Sequence, residues 1–308
     1  MDKSKSFREF YFLNGFLAFL LLSLLSFQSL PAFAANFPLQ IIQPQPNLDI
    51  KNRFYKAYPG LVYNVRLAVI GGDYPFSFEL KSAPSGMTID KRGEINWANP
   101  AASASPYTVT AKVTDAQKVT MIVTWNITVT TDGFRFIDAI NGKSIAQGGT
   151  GLIGSPWKSM KDMYEGADIG SKSARSYSGE FLYWRSSTYT MDAYREDSGS
   201  GPRTSFVGNN KPMVWLAYPG EAPVFDLSSA RISIYSGGSN TYFDGLTFNI
   251  NSNSRGMGIA ISSSANNVTF RKNTLFGITN GVTGGNSSLV FITSSAVGRN
   301  YTFQDNVM

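Results

Sequence analysis

Three stretches in the C-terminal third of the chain decide its fold: Asn240-Thr241-Tyr242-Phe243-Asp244-Gly245-Leu246-Thr247-Phe248, Asn267-Val268-Thr269-Phe270-Arg271-Lys272-Asn273-Thr274-Leu275 and Asn300-Tyr301-Thr302-Phe303-Gln304-Asp305-Asn306-Val307-Met308. Each begins with Asn, has Phe three places later and ends in a large apolar residue. The phenylalanines follow one another at intervals of 27 and 33 residues. Such periods are typical of solenoids, in which each coil buries its apolar face against its neighbours.

An apolar ladder and two columns of Asn residues also run through the repeat. An apolar ladder precedes the Asn position: Ile232-Ser233-Ile234, Ile259-Ala260-Ile261 and Val290-Phe291-Ile292. The phenylalanines are predicted to stack in the core. The amide columns, Asn240, Asn267 and Asn300 with Asn273 and Asn306, could bind a metal ion or a sugar. Amides repeated in register favour hydrogen bonds along a stack of coils instead.

The segment from Phe134 to Val224 supplies the first coils. It holds a strand near Phe136, a Gly-rich turn, and a short helix predicted from Ser155 as N-cap and Pro156 to about Glu165. Residues 179–189 and 211–224 follow. These stretches resemble the first coils of pectate-lyase-like and related polysaccharide-lyase proteins, and the resemblance implies a right-handed parallel β-helix. Trp184 and Trp215 could be sugar platforms, but their apolar partners favour the core. Rings predicted to be exposed are those of Tyr189, Tyr194 and Tyr218.

An antiparallel β-sandwich is predicted before these coils. Residues 119–129 alternate, with Val123, Trp125, Ile127 and Val129 on one face. Residues 82–90, 93–97 and 107–116 resemble the Ig-like and cadherin-like modules of secreted bacterial proteins. This resemblance implies an Ig-like sandwich that acts as a spacer or an adhesive unit. Trp97 and Trp125 are predicted to be core residues rather than sugar platforms.

The N-terminus predicts an export signal. Lys3, Lys5 and Arg8 precede an apolar run from Phe10 to about Leu30, and Ala32-Phe33-Ala34 provides a cleavage site. A membrane anchor is the alternative. The predicted organisation is a signal peptide at 1–35, an Ig-like sandwich at 36–132 and a parallel β-helix at 133–308. The protein is expected to be extracellular or periplasmic, without a stable membrane span after cleavage. Because Met308 falls at the last apolar place of a repeat, we expect the coils to continue beyond it.

The composition limits the chemistry. Cysteine and histidine are both absent, which excludes disulfides, thiol nucleophiles, Ser-His-Asp triads and His-ligated zinc. Catalysis would have to use carboxylates, Lys, Arg, Tyr, or an oxygen-bound cation such as Ca²⁺. The net charge of +6 is spread along the chain, without the dense basic patch that nucleic-acid binding requires.

Charged residues beside the phenylalanine column allow two interpretations. Asp244 with Arg271, and Lys272 with Asp305, could pair across neighbouring coils. Alternatively, a groove of cations could bind the carboxylates of an acidic polysaccharide, through Arg231, Arg255, Arg271 and Lys272. A further acidic cluster, Asp192, Glu196 and Asp197, lacks the spacing of a calcium loop, and a solvated loop is the favoured interpretation.

The leading hypothesis is a secreted carbohydrate-active protein, a polysaccharide lyase that cleaves an acidic glycan by β-elimination. That reaction needs a base beside the substrate carboxylate and a cation to stabilise the intermediate, and Lys or Arg with Ca²⁺ can supply both. The lyases that the chain resembles place these groups in later coils, so no catalytic residue is predicted. The alternatives are a non-catalytic glycan-binding protein or adhesin, and a hydrolase or epimerase on the same fold.

Overall fold

The computed structural model describes residues 37–44, 52–166, 181–190, 203–206, 213–228, 231–234, 240–250, 257–261, 265–277, 288–292 and 299–308. In these residues the protein is all-β, with mainly antiparallel sheets up to Val129 and parallel sheets from Phe134 onward. The described α-helix, α1 (Met160–Gly166), is short. Across the described ranges, no helix has the length and apolar character needed to cross a membrane.

The antiparallel part is a sandwich of short strands. A four-stranded sheet has the order β2-β9-β8-β5, a three-stranded sheet the order β3-β7-β6, and β1 pairs with β4. The strands are β1 (Gln40–Gln43), β2 (Lys56–Ala57), β3 (Tyr63–Arg66), β4 (Ala68–Ile70), β5 (Ser77–Ser82), β6 (Met87–Ile89), β7 (Glu94–Trp97), β8 (Tyr107–Thr114) and β9 (Thr120–Val129). A 3-10 helix, Arg53–Tyr55, precedes β2.

Alternation along β9 determines which residues enter the sandwich core. Val123, Trp125, Ile127 and Val129 are all buried, as predicted, whereas the residues between them are exposed. Trp97 is buried as well, and its ring meets that of Tyr107 edge to face at 5.0 Å. The interpretation of both tryptophans as core residues is therefore confirmed.

The C-terminal part consists of three parallel sheets, which we call the stack. From β11 to β22, successive strands join a six-stranded sheet, a four-stranded sheet and a second four-stranded sheet in turn. We call the six-stranded sheet, β10-β11-β14-β17-β20-β23, the wide sheet. The strands are β10 (Phe134–Ile137), β11 (Phe181–Trp184), β12 (Thr188–Thr190), β13 (Arg203–Phe206), β14 (Met213–Ala217), β15 (Val224–Asp226), β16 (Arg231–Ile234), β17 (Thr241–Asp244), β18 (Thr247–Asn249), β19 (Met257–Ile261), β20 (Asn266–Arg271), β21 (Thr274–Phe276), β22 (Ser288–Ile292) and β23 (Arg299–Gln304).

The repeat register predicted from sequence is confirmed in the stack. Phe243 pairs with Phe270, and Phe270 with Phe303, in neighbouring strands of the wide sheet. Their ring centroids are 5.2 and 5.3 Å apart. The second ladder pairs as expected through β16, β19 and β22. Trp184 and Trp215 are fully buried in the same core, which confirms their core assignment.

The amide columns are hydrogen-bonded along the stack, as predicted. The Nδ2 group of Asn267 donates to Oδ1 of Asn240 at 3.0 Å, and Asn300 donates to Asn267 at the same distance. All three residues have positive φ angles, of 64°, 54° and 63°, which Asn tolerates better than other non-glycine residues. In the second column, Nδ2 of Asn273 donates to Oδ1 of Asn306 at 3.2 Å. The amide columns therefore form hydrogen bonds along the stack, which is the structural role that was predicted for them.

The predicted start of the helix was wrong. Residues 155 and 157 form isolated bridges, and α1 begins at Met160. Ser159 is the residue that caps the helix: its Oγ accepts from the amide of Asp162 at 3.1 Å and donates to the Asp162 carboxylate at 2.5 Å. A Ser with an acidic residue three places later is the sequence signature of a helix start, and here it lies one turn downstream of Ser155.

The prediction that Tyr189 is exposed was also wrong. Its ring is buried beside Trp184, with centroids 4.9 Å apart, and its hydroxyl donates to the Arg185 carbonyl at 2.9 Å. A tyrosine near a turn can still reach the core because its polar end needs a single hydrogen-bond partner. Tyr218 is partly buried, and Tyr194 lies outside the described residues.

Candidate ligand-binding site

The outer face of the wide sheet is covered by the sandwich. Its outward side chains form a buried apolar cluster of their own, and the sandwich contributes Tyr58 to it. The Tyr58 ring meets those of Phe134 and Phe136 edge to face, at centroid distances of 5.3 and 5.2 Å. The other members include Phe181, Tyr183, Val214, Leu216 and Tyr242. The wide sheet is therefore buried on both faces, which is typical of parallel sheets.

Charged groups continue this interface beside β20. Arg271, whose side chain is 1% exposed, pairs through Nη1 with Asp244 at 2.7 Å and through Nη2 with Glu94 of the sandwich at 3.1 Å. It also donates to the side chain of Asn64. Burial alone would lower the pKa of Arg271, but the two carboxylates outweigh burial and raise it. Burial raises the pKa of Asp244, and the Arg271 charge opposes this shift.

The predicted pair between Asp244 and Arg271 is thus confirmed, whereas the predicted pair between Lys272 and Asp305 is wrong. The Lys272 ammonium contacts Oε1 of Glu94 at 2.5 Å. Asp305 pairs instead with Arg66 of the sandwich at 2.9 Å, and also contacts Arg92. Lys272 and Asp305 have positive φ angles of 53° and 54° at the end of their strands. The chain turns there, and their partners lie in the sandwich.

A cleft of about 330 Å³ lies between the sandwich and the stack, next to these ion pairs. The sandwich contributes Arg53, Val62 and Asn64 to its walls. The stack contributes Tyr183, the residues from Leu216 to Glu221, Asp244, Gly245, Arg271 and Lys272. Sequence reasoning missed this cleft, because its two walls come from regions far apart in the chain and no local pattern joins them.

One residue that lines the cleft, Tyr183, carries a buried hydroxyl. Tyr183 is 2% exposed, and its hydroxyl has no hydrogen-bond partner among the described residues. Burial raises its pKa, although Arg53 opposes the shift, so the hydroxyl keeps its proton at neutral pH. On the neighbouring wall, the Arg185 guanidinium lies 4.3 Å from the ring centroid of Tyr218 and pairs with Glu221 at 2.6 Å.

Comparison with known families identifies the sandwich. Residues 52–130 match the family model described as "Putative Ig domain". Residues 52–130 form an Ig-like domain. The Ig-like interpretation of the alternating strands is therefore confirmed, and the Ig-like domain is what contributes Arg53, Asn64 and Glu94 to the interface.

Two solved structures share a limited similarity with the chain. One is a crystal structure described as a putative α-galactosidase/melibiase from Bacteroides fragilis, with 19% identity and a TM-score of 0.22, over 27% of this chain and 18% of that chain. The other is described as a putative α-galactosidase from the same organism, with 16% identity and a TM-score of 0.23, over 42% of this chain and 26% of that one. A search of curated proteins finds no match.

The structure does not gather the four cations predicted to bind a glycan. Arg271 and Lys272 lie at the end of β20 against the Ig-like domain, whereas Arg231 begins β16 in another sheet. Arg255 lies outside the described residues. Glycan binding by this set remains a prediction, and the observed partners of Arg271 favour the ion-pair alternative for that residue.

The cations of the cleft differ in what they can reach. Arg53 is buried and donates to the carbonyls of Lys56 and Val62, at 2.7 and 2.9 Å. Arg271 is enclosed by its carboxylate partners. The side chain of Lys272 is 40% exposed, although Glu94 holds its ammonium. Lys272 is therefore the lining cation best placed to meet a charged group that enters from solvent.

The part of the chain that the structure describes contains no group of three acidic side chains that could hold a metal ion. The acidic cluster of Asp192, Glu196 and Asp197 lies outside the described residues. Calcium binding by that cluster therefore stays a prediction.

Proposed function

We propose that the protein is an exported carbohydrate-binding protein that holds an acidic glycan in the cleft between its Ig-like domain and its stack. In this proposal the N-terminal signal directs export, and the stack is a right-handed parallel β-helix. The Ig-like domain is a fixed wall of the binding site rather than a free spacer.

The order of the strands supports the β-helix. Successive strands join three parallel sheets in turn, and Phe, Ile and Asn columns follow each coil in register. In a solenoid each coil buries its face only against the coils on either side, which accounts for the unbroken columns. Crossover connections between parallel strands are almost always right-handed, which supports the handedness.

The observation that carries the binding proposal is the partly polar cleft at a domain boundary. Ligand sites occur preferentially at such boundaries, where apolar walls carry a few convergent polar groups. Here Tyr183 carries a buried, unpaired hydroxyl, and Lys272 has a partly exposed side chain. A buried polar group without a partner costs about 1–3 kcal/mol. A sugar carboxylate would be attracted to Lys272. A sugar hydroxyl would satisfy Tyr183 after a small movement of the wall, because the Tyr183 hydroxyl is itself buried.

Binding to defined glycans tests this function. The exported protein should bind polygalacturonate or alginate more tightly than a neutral glucan, with an affinity that falls as salt is added. Tyr183→Phe removes only the hydroxyl and should weaken binding about two- to tenfold, the equivalent of one hydrogen bond. Tyr242→Phe is the matched control, because Tyr242 is also buried in the wide sheet but does not line the cleft. Equal effects of the two variants, or no glycan binding, would refute the proposal.

Polysaccharide lyase activity is the second candidate. The cleft combines a cation, Lys272, with a protonated tyrosine, Tyr183, and a carboxyl group, Asp244. β-Elimination needs a cation for the substrate carboxylate and groups that move protons, so this combination favours lyase chemistry without any histidine. We assign no catalytic residue.

Ultraviolet absorbance of the unsaturated product tests the second candidate. Polygalacturonate and alginate are incubated with the protein, with and without added Ca²⁺, and the absorbance is followed with time. A lyase gives a steady increase with at least one of these polymers. Binding without any increase would refute the lyase and leave a glycan-binding protein or adhesin.

A further inference from the structure

Glu94 occupies a position that bears directly on the ligand preference of the cleft. Its carboxylate oxygen Oε1 contacts both Lys272 and Arg271, at 2.5 and 3.1 Å. Both cations line the cleft. Glu94 itself lines a separate depression of the Ig-like domain, together with Asn64 and Asp90. Glu94 thus touches two residues of the cleft wall without lining the cleft itself.

We propose that Glu94 is an intramolecular competitor that sets the charge preference of the cleft, because it holds the ammonium group that an acidic sugar would bind. The inference rests on the proposed function. It names Glu94 as a positioning residue that acts through Lys272, and it identifies the ligand group concerned as a carboxylate.

The geometry supports competition rather than a passive surface pair. Lys272 has three N–H donors, and the described contacts place Glu94 at 2.5 Å and the Asn64 side-chain oxygen at 3.2 Å from its nitrogen. A ligand carboxylate must therefore share an ammonium that is already neutralised. Burial would raise the pKa of Glu94, but hydrogen bonds from Lys272 and Asn64 and the charge of Arg271 hold that pKa below its usual value. Glu94 stays ionised at neutral pH.

The sign of the expected effect separates this role from a structural one. If Glu94 competes with the ligand, Glu94→Gln should strengthen binding of oligogalacturonate about two- to fivefold at low salt, the range that an exposed ion pair provides. If Glu94 only maintains the interface, the same change should weaken binding or leave it unchanged. Binding of a neutral glucan should not respond in either case.

The experiment measures oligogalacturonate affinity by calorimetry for the exported full chain and its variants. Glu79→Gln is the matched control, because Glu79 forms an exposed pair with Lys81 at 2.9 Å in the same domain. Lys272→Met should weaken binding and should abolish the gain given by Glu94→Gln. A thermal melt checks the fold of each variant. If Glu94→Gln does not fold, Glu94→Asp shortens the side chain by one methylene and so weakens the contact with Lys272 while keeping the charge, and it should also bind more tightly than the unchanged protein.

The outcomes separate the two proposals. A Tyr183-dependent affinity that Glu94→Gln does not increase, in a folded variant, would overturn the competitor role and leave the cleft as the binding site. A gain that persists in the presence of Lys272→Met would overturn the competitor role as well. If neither the unchanged protein nor Glu94→Gln binds oligogalacturonate, the proposed function fails, and the competitor role fails with it.

Discussion

Replacing Arg271 with Met should destabilise the protein by about 3–5 kcal/mol at neutral pH, because the change breaks a buried ion pair from one side. Met keeps much of the apolar stem and removes the charge. Arg271 is almost fully buried between Asp244 at 2.7 Å and Glu94 at 3.1 Å. Loss of the guanidinium leaves both carboxylates without their shared partner.

Most of the cost should come from Asp244. Glu94 keeps its contact with Lys272 at 2.5 Å, whereas among the described residues the ion pair of Asp244 is with Arg271. Removing both charges should therefore restore stability: Arg271→Met combined with Asp244→Leu should lie within about 1–2 kcal/mol of the unchanged protein, since apolar groups of similar volume can replace a buried pair. The coupling energy from this double-mutant cycle isolates the pair.

The assay is guanidinium denaturation, followed by tryptophan fluorescence at several pH values. Burial raises the folded-state pKa of Asp244 above its unfolded value, so protonation of Asp244 favours the folded state. Loss of Arg271 should raise that pKa further, and the destabilisation should shrink as the pH falls from neutral through the folded-state pKa. A single variant that costs less than about 1 kcal/mol, or a double variant as unstable as the single one, would refute the buried pair.

Three further changes test the stack. Phe270→Ala should lower the free energy of unfolding by about 3–5 kcal/mol in the same denaturation assay. Phe303→Ala should lower it by roughly half of that or less, because the Phe303 ring is 40% exposed. Asn273→Ala should lower the free energy of unfolding by about 2–4 kcal/mol, because the Leu246 amide and the Phe243 carbonyl lose their hydrogen bonds to the buried Asn273 side chain. Gly142→Ala would bring a Cβ within 2.3 Å of a main-chain oxygen, so the melting temperature of this variant should fall by the equivalent of about 1–3 kcal/mol. Gly154→Ala is the control, because a Cβ there has free space and the melting temperature should change little. Equal effects within either matched pair would contradict the packing described.

The repeating part of the fold was predictable because each coil imposes the same demands on its residues. A phenylalanine column with Asn before it predicted the pairing of Phe243, Phe270 and Phe303. The alternation of β9 predicted the sandwich core in the same way. The start of α1 was missed because Ser155-Pro156 and Ser159 give competing local signals, and the hydrogen bonds of the bridges at residues 155 and 157 favoured the second.

The interface between the domains was harder to predict, because a coil repeat carries no information on what covers its outer face. A short alternation such as Phe181-Leu182-Tyr183-Trp184 shows apolar residues on both faces. That pattern already indicates a sheet buried on both sides, but it does not name the covering element. The cleft and the contacts of Glu94 exist because the Ig-like domain covers the wide sheet, so neither could be predicted from the sequence.

One sequence signal could nevertheless have shown that the predicted pair between Lys272 and Asp305 was wrong. Two places after each phenylalanine stand Gly245, Lys272 and Asp305, and all three have positive φ angles. A glycine in such a column indicates a left-handed turn, because only Gly adopts that conformation without strain. Its presence at 245 predicts that Lys272 and Asp305 lie outside the strand ladder, so their cross-coil pairing had no basis in strand geometry. Asp244 and Arg271, one place earlier, are strand residues in register, and there the predicted pair formed.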